Sequence, residues 1–89
     1  MGLDTVEFIM WLEKEFEINI PEIDAQNILT VGESSTYVYY KLLDLRGSNT
    51  TTEVEIFERI KKFIVSEFNI APDKINRVSS FVEDLRLDQ

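Results

Sequence analysis

The stretch LDTVEFIMWLEKEF, residues 3–16, decides how the chain is read. Phe8, Leu12 and Phe16 recur at the spacing of one helical face, with Ile9 beside them, and Asp4 is placed to cap the start. Leu3, Val6 and Met10 form a second apolar line at i, i+3 and i+7. A surface helix needs one buried stripe, so the second is surplus, either more core or an exposed contact line on an acidic helix.

Working outward, Ile20-Pro21 is expected to stop this helix, because a residue before proline avoids the α region. A short turn of helix is expected over 22–27. Thr30 and Glu33 have capping-box spacing and open a helix to about Leu45, with Val31, Val38 and Leu42 as its apolar line. Gly47 to Thr51 reads as a turn or joint. Thr52 and Glu55 repeat the capping-box spacing ahead of a strongly amphipathic helix, Glu53 to about Phe68, built on Ile56, Phe57, Ile60, Phe63 and Ile64. Asp73–Asn76 is expected to make one turn, and Ser80 with Glu83 to cap a last short helix. No segment sustains the alternation of a strand. The fold class is all-α, with three longer helices and one or two short ones.

Composition narrows the function. The 89 residues make one domain, and a 44% hydrophobic content is enough for one compact core. There is no cysteine and no histidine, which removes disulfides, Cys/His zinc sites, cysteine nucleophiles and Ser-His-Asp triads. With 9 basic against 17 acidic residues the net charge is −8, which disfavours nucleic acid as a partner. Residues 1–45 carry nine acids and two bases, a net of −7, so nearly all the excess lies in the first half. No apolar run approaches the ~20 residues of a membrane span, and no signal-peptide pattern opens the chain. A soluble, cytoplasmic, non-enzymatic domain is expected.

Asp44 to Glu55 has the twelve-residue frame of an EF-hand loop, but Arg46 stands where an oxygen ligand belongs. Asn49 occupies the position of the sharp-turn glycine, so calcium is not expected there. No glycine-rich phosphate loop occurs. Glu13 and Glu17 pair carboxylates at i, i+4 with nothing to mark a pocket around them.

The most specific signal is the order of motifs. Leu3-Asp4-Thr5-Val6-Glu7 and its continuation to Ile20-Pro21 resemble the second helix and following turn of acyl carrier proteins. Thr30-Val31-Gly32-Glu33, with Tyr37 and Val38 after it, resembles the start of that family's last helix. Glu55 to Asn69, Ala71-Pro72-Asp73-Lys74-Ile75 and Ser80-Phe81-Val82-Glu83-Asp84-Leu85 resemble the family's first helix and long first loop. In the family that piece comes first; here it comes last. The chain therefore resembles a circularly permuted acyl carrier protein, a four-helix bundle, over everything except the joint near 47–51. A short polar bridge between natural ends is reasonable, since the ends of compact domains often lie close.

The resemblance implies that the family's attachment motif, Asp-Ser-Leu, is cut. Asp88 and Leu3 keep its outer residues, while Gln89 and Gly2 occupy the place of the serine that carries 4′-phosphopantetheine. Neither has a hydroxyl, so this chain is not expected to carry the prosthetic group. Ser34, Ser35, Ser48, Ser66, Ser79 and Ser80 all lie outside such a motif. By the same resemblance Leu3, Asp4, Val6, Glu7, Met10 and Glu13 are partner-binding residues. They would meet basic surfaces of acyl-chain synthases, transferases and phosphopantetheinyl transferase. Phe8, Leu12, Phe16, Val38, Ile60 and Ile64 are core and acyl-cavity wall. Trp11 departs from the pattern, and the sequence gives it no place. A Gly-Ser joint and a break inside a functional motif read as an engineered rearrangement, with a stretch of a tandem carrier array as the natural alternative. A generic acidic helical interaction module is the reading from another class. The assembly expected is a monomer, or a domain-swapped dimer if the joint is too short.

Overall fold

The computed structural model describes residues 3–47, 51–81 and 85, the first three by backbone alone. Four helices carry the fold: α1 (Leu3–Phe16), α2 (Glu22–Ala25), α3 (Val31–Arg46) and α4 (Glu53–Phe68), followed by a 3-10 turn over Pro72–Lys74. No strand forms among the described residues, so the fold is an all-helical bundle. None of these helices is long and apolar enough to cross a membrane.

The helix ends follow from local chemistry. At α3 the Thr30 hydroxyl accepts from the Glu33 N–H (3.2 Å), and the Glu33 carboxylate accepts from the Thr30 N–H (3.0 Å). The box expected from the sequence is therefore closed. At α4 only half of it forms: the Thr52 hydroxyl accepts from the Glu55 N–H at 3.1 Å. Gly47 (φ 72°) and Asn69 (φ 55°) end α3 and α4 in the left-handed region. Helix α1 ends at Phe16, the end of the stretch read from the sequence, but Ile20-Pro21 does not make the stop. Glu17 turns left-handed (φ 55°), and the Ile18 N–H reaches back to the Glu13 carbonyl (3.1 Å), a Schellman closure four residues ahead of the proline. Pro21 instead caps α2, which lasts one turn because the N–H groups of Asn27 and Ile28 bond only three residues back. Pro72 takes the first position of the 3-10 turn, starting it one residue earlier than expected. Of the expected Ser80/Glu83 cap, Glu83 lies outside the described residues.

All six expected core residues (Phe8, Leu12, Phe16, Val38, Ile60 and Ile64) are buried, at 4% exposure or less. Each contributes roughly 1.5–3 kcal/mol of transfer free energy. Trp11 has a definite place: half-buried, its ring stacks on Phe63 at 3.9 Å and 13°, tying α1 to α4. Phe8 also faces Phe63, and Glu15 pairs with Arg59, so α1 and α4 run antiparallel. The most extensive helix pairing is α3 on α4. The first turn of α4 lies against the second turn of α3, where Ser35 and Thr36 reach Glu53.

The segment after the 3-10 turn crosses the start of α3. The Phe81 N–H donates to the Leu29 carbonyl, Val31 to Ser79 and Gly32 to Arg77, at 3.1, 3.1 and 2.9 Å. These bonds frame an isolated antiparallel bridge between Thr30 and Ser80. Beyond it Phe81 is buried against Phe8, ring centres 4.8 Å apart. The two ends of the sequence thus share one core.

Candidate functional site

The outward face of α1 answers to the surplus stripe. Met10 is 61% exposed and Val6 37%, and Glu7 beside them is exposed. Val6 and Met10 are therefore not core; they leave an exposed apolar line beside a carboxylate. Leu3 and Asp4 lie in the first turn of the same helix, with side chains outside the described residues. Gln89 and Gly2, the attachment-site equivalents, also lie outside them.

Glu13 has structural work. Half-buried, its carboxylate accepts from the Ile20 N–H at 2.9 Å, seven residues on. It supplies an acceptor for the backbone that leaves α1, and so is not a free surface charge like Glu7. Its pair at i+4, Glu17, is exposed in the left-handed turn.

Two grooves flank the Trp11–Phe63 stack. One, of about 370 Å³, is lined by Glu7, Met10, Trp11, Lys14, Phe63 and Glu67. The other, of about 470 Å³, is lined by Trp11, Glu15, Arg59, Lys62, Phe63 and Ser66. In the second the chain supplies its own cation: the Arg59 guanidinium lies 4.7 Å from the Phe16 ring centre and pairs with Glu15.

A third groove, of about 560 Å³, lies over α2, the start of α3 and Arg77. Its polar groups are already engaged. The Tyr37 hydroxyl donates to Asp24 at 2.7 Å, and burial first, then this bond, raise its pKa. Arg77 grips Glu53 with two bonds of 2.7 and 2.5 Å and lies over the Phe57 ring at 4.6 Å. Glu53 also accepts from Ser35 (2.7 Å) and Thr36 (3.2 Å). The Arg77 hydrogen bonds above all hold its carboxyl down at about 2. Sequence reading missed this cluster because no local spacing joins Glu53 to Arg77.

No group of three or more acidic, His or Cys side chains among the described residues converges as a metal site. Ser34, Ser35 and Ser79 are buried; the hydroxyls of Ser34 and Ser79 donate to the carbonyls of Val31 and Lys74, and that of Ser35 is the one given to Glu53. No family model matches the chain, and no solved structure matches it.

Proposed function

We propose that the chain is an acyl-carrier-type helical domain in circularly permuted order, a non-enzymatic docking domain without the family's attachment serine. The observation that carries this reading is the packing of Phe81 on Phe8. It sets the segment resembling the family's first loop against the helix resembling its second, as the rejoined order requires. The exposed line of Val6, Glu7 and Met10 supports docking to basic surfaces of acyl-chain synthases and transferases. The assembly is a monomer or a domain-swapped dimer, and light scattering at two concentrations decides between them.

The family's 4′-phosphopantetheine does not fit the residues present. Gln89 and Gly2 offer no hydroxyl, Ser34, Ser35 and Ser79 are buried and hydrogen-bonded, and exposed Ser66 and half-buried Ser80 lie outside any Asp-Ser-Leu motif. No step through that group is derived.

Intact-mass measurement after incubation with coenzyme A and a broad-specificity phosphopantetheinyl transferase tests the reading. The chain is expected to gain nothing. A chain rejoined as residues 52–88, a serine, then 3–45 is expected to gain one phosphopantetheine. A folded rejoined chain that stays unloaded would leave the generic acidic interaction module as the better account.

A further inference from the structure

We propose that the groove between α1 and α4 floored by Trp11 and Phe63 receives an arginine side chain of a partner protein. The inference rests on the docking reading above and deepens it, naming the groove and the side chain it takes; the peptide titration that tests it is independent of phosphopantetheine loading.

The protein twice builds the same arrangement from its own residues. Arg59 lies over Phe16 and pairs with Glu15; Arg77 lies over Phe57 and pairs with Glu53. In both, an aromatic ring supports the planar guanidinium and a carboxylate takes its N–H groups. The groove beside Trp11 and Phe63 has the aromatic pair and two carboxylates, Glu7 and Glu67. Among the described residues no cation pairs with either acid or lies over Trp11.

Helix direction places the charges. Because α1 and α4 are antiparallel, Glu7, just before Phe8, lies at the end of the groove where Glu67 follows Phe63. Lys14 lines the same groove two turns further along α1, about 10 Å from Glu7 along the axis. The acidic end therefore has two carboxylates and a distant cation, in the half of the chain that carries nearly all the excess negative charge. At about 370 Å³ the groove has room for one long side chain. An arginine stem would lie along the Trp11–Phe63 edges with its head between the two carboxylates. Exposed Met10 at the rim offers apolar contact to the residues flanking that arginine.

Trp11 is the single tryptophan, so its indole N–H resonance reports on the groove directly. The probe is the capped tripeptide acetyl-Gly-Arg-Gly-amide, titrated by NMR against its uncharged citrulline counterpart. The arginine peptide is expected to shift the Trp11 resonance saturably, with a Kd on the order of 1 mM, and the citrulline peptide to bind about tenfold more weakly. Glu7→Gln and Glu67→Gln are each expected to weaken the arginine peptide about threefold, and Glu22→Gln, an exposed acid on α2, to leave it unchanged. These exposed isosteric changes preserve the fold, which the dispersion of the amide spectrum verifies. Equal binding of the citrulline peptide, loss of affinity in Glu22→Gln matching that in Glu67→Gln, or absence of a saturable shift would each overturn the proposal.

Discussion

The N–H of Gly32 donates to the carbonyl of Arg77 at 2.9 Å, and a Cβ on Gly32 would stand 2.6 Å from that same oxygen. The start of α3 and the segment over it approach backbone to backbone, a distance only glycine permits.

Gly32→Ala is therefore expected to destabilise the fold by about 2–3 kcal/mol. The clash is with a carbonyl and not with a flexible tip, so the crossing segment must lift and give up the bond. Urea unfolding reads the loss, and faster exchange of the Val31 and Gly32 amides locates it. An ordinary helix site would instead gain up to about 1 kcal/mol from this substitution, and a gain would refute the close approach.

Glu53 makes the same contact sensitive to acid. Its carboxyl titrates at about 2 in the folded protein against 4.5 ordinarily. A depressed carboxylate stabilises the fold fully above the ordinary value, and that contribution disappears as pH falls from about 4.5 to 2. With Arg77 nearly half exposed, solvent screening trims its worth to about 1–2 kcal/mol. Glu53→Gln is expected to be less stable than the parent by that amount at pH 6, and the gap to close by pH 2. A gap that stays constant over this range would sever the link to Glu53 ionisation.

The stack of Trp11 on Phe63 joins α1 to α4. Since Phe63 is half-buried, Phe63→Ala is expected to cost about 2 kcal/mol, below the range for a fully buried phenylalanine. The emission of the single tryptophan should move to longer wavelength in the folded variant as water reaches the ring. Unchanged emission would mean that Trp11 is held chiefly by Phe8 and Phe16.

What could be read before the structure was what lies within about one helical turn. The Thr30–Glu33 box, the bounds of α1 and α4 and the buried stripes all depend on spacings of three and four residues. The device that stops α1 was hidden, because a left-handed glutamate at 17 carries no signal of the kind glycine gives. The exposed line of Val6 and Met10 beside Glu7 was legible as an apolar stripe too many. Glu67 was not, since it joins that surface from another helix, nor was the Trp11–Phe63 pairing that builds the groove. Glu53 and Arg77 meet only through tertiary packing.

Glu13 differs from Glu7 on the acidic helix in having a backbone partner. Its carboxylate accepts the N–H of Ile20, a buried residue with no helical partner for that group. Removing the acceptor leaves the N–H to find water at the edge of the core, so Glu13→Ala is expected to cost about 1 kcal/mol. Glu13→Gln keeps an oxygen in place and should retain most of that stability while removing the charge. The Ile20 amide should exchange faster in the alanine variant and near the parent rate in the glutamine variant. Glu7, exposed, should give no stability change when made glutamine. If Glu13→Ala is as stable as the parent and Ile20 exchange is unaltered, the carboxylate is free for a partner and belongs with Glu7 on the docking face.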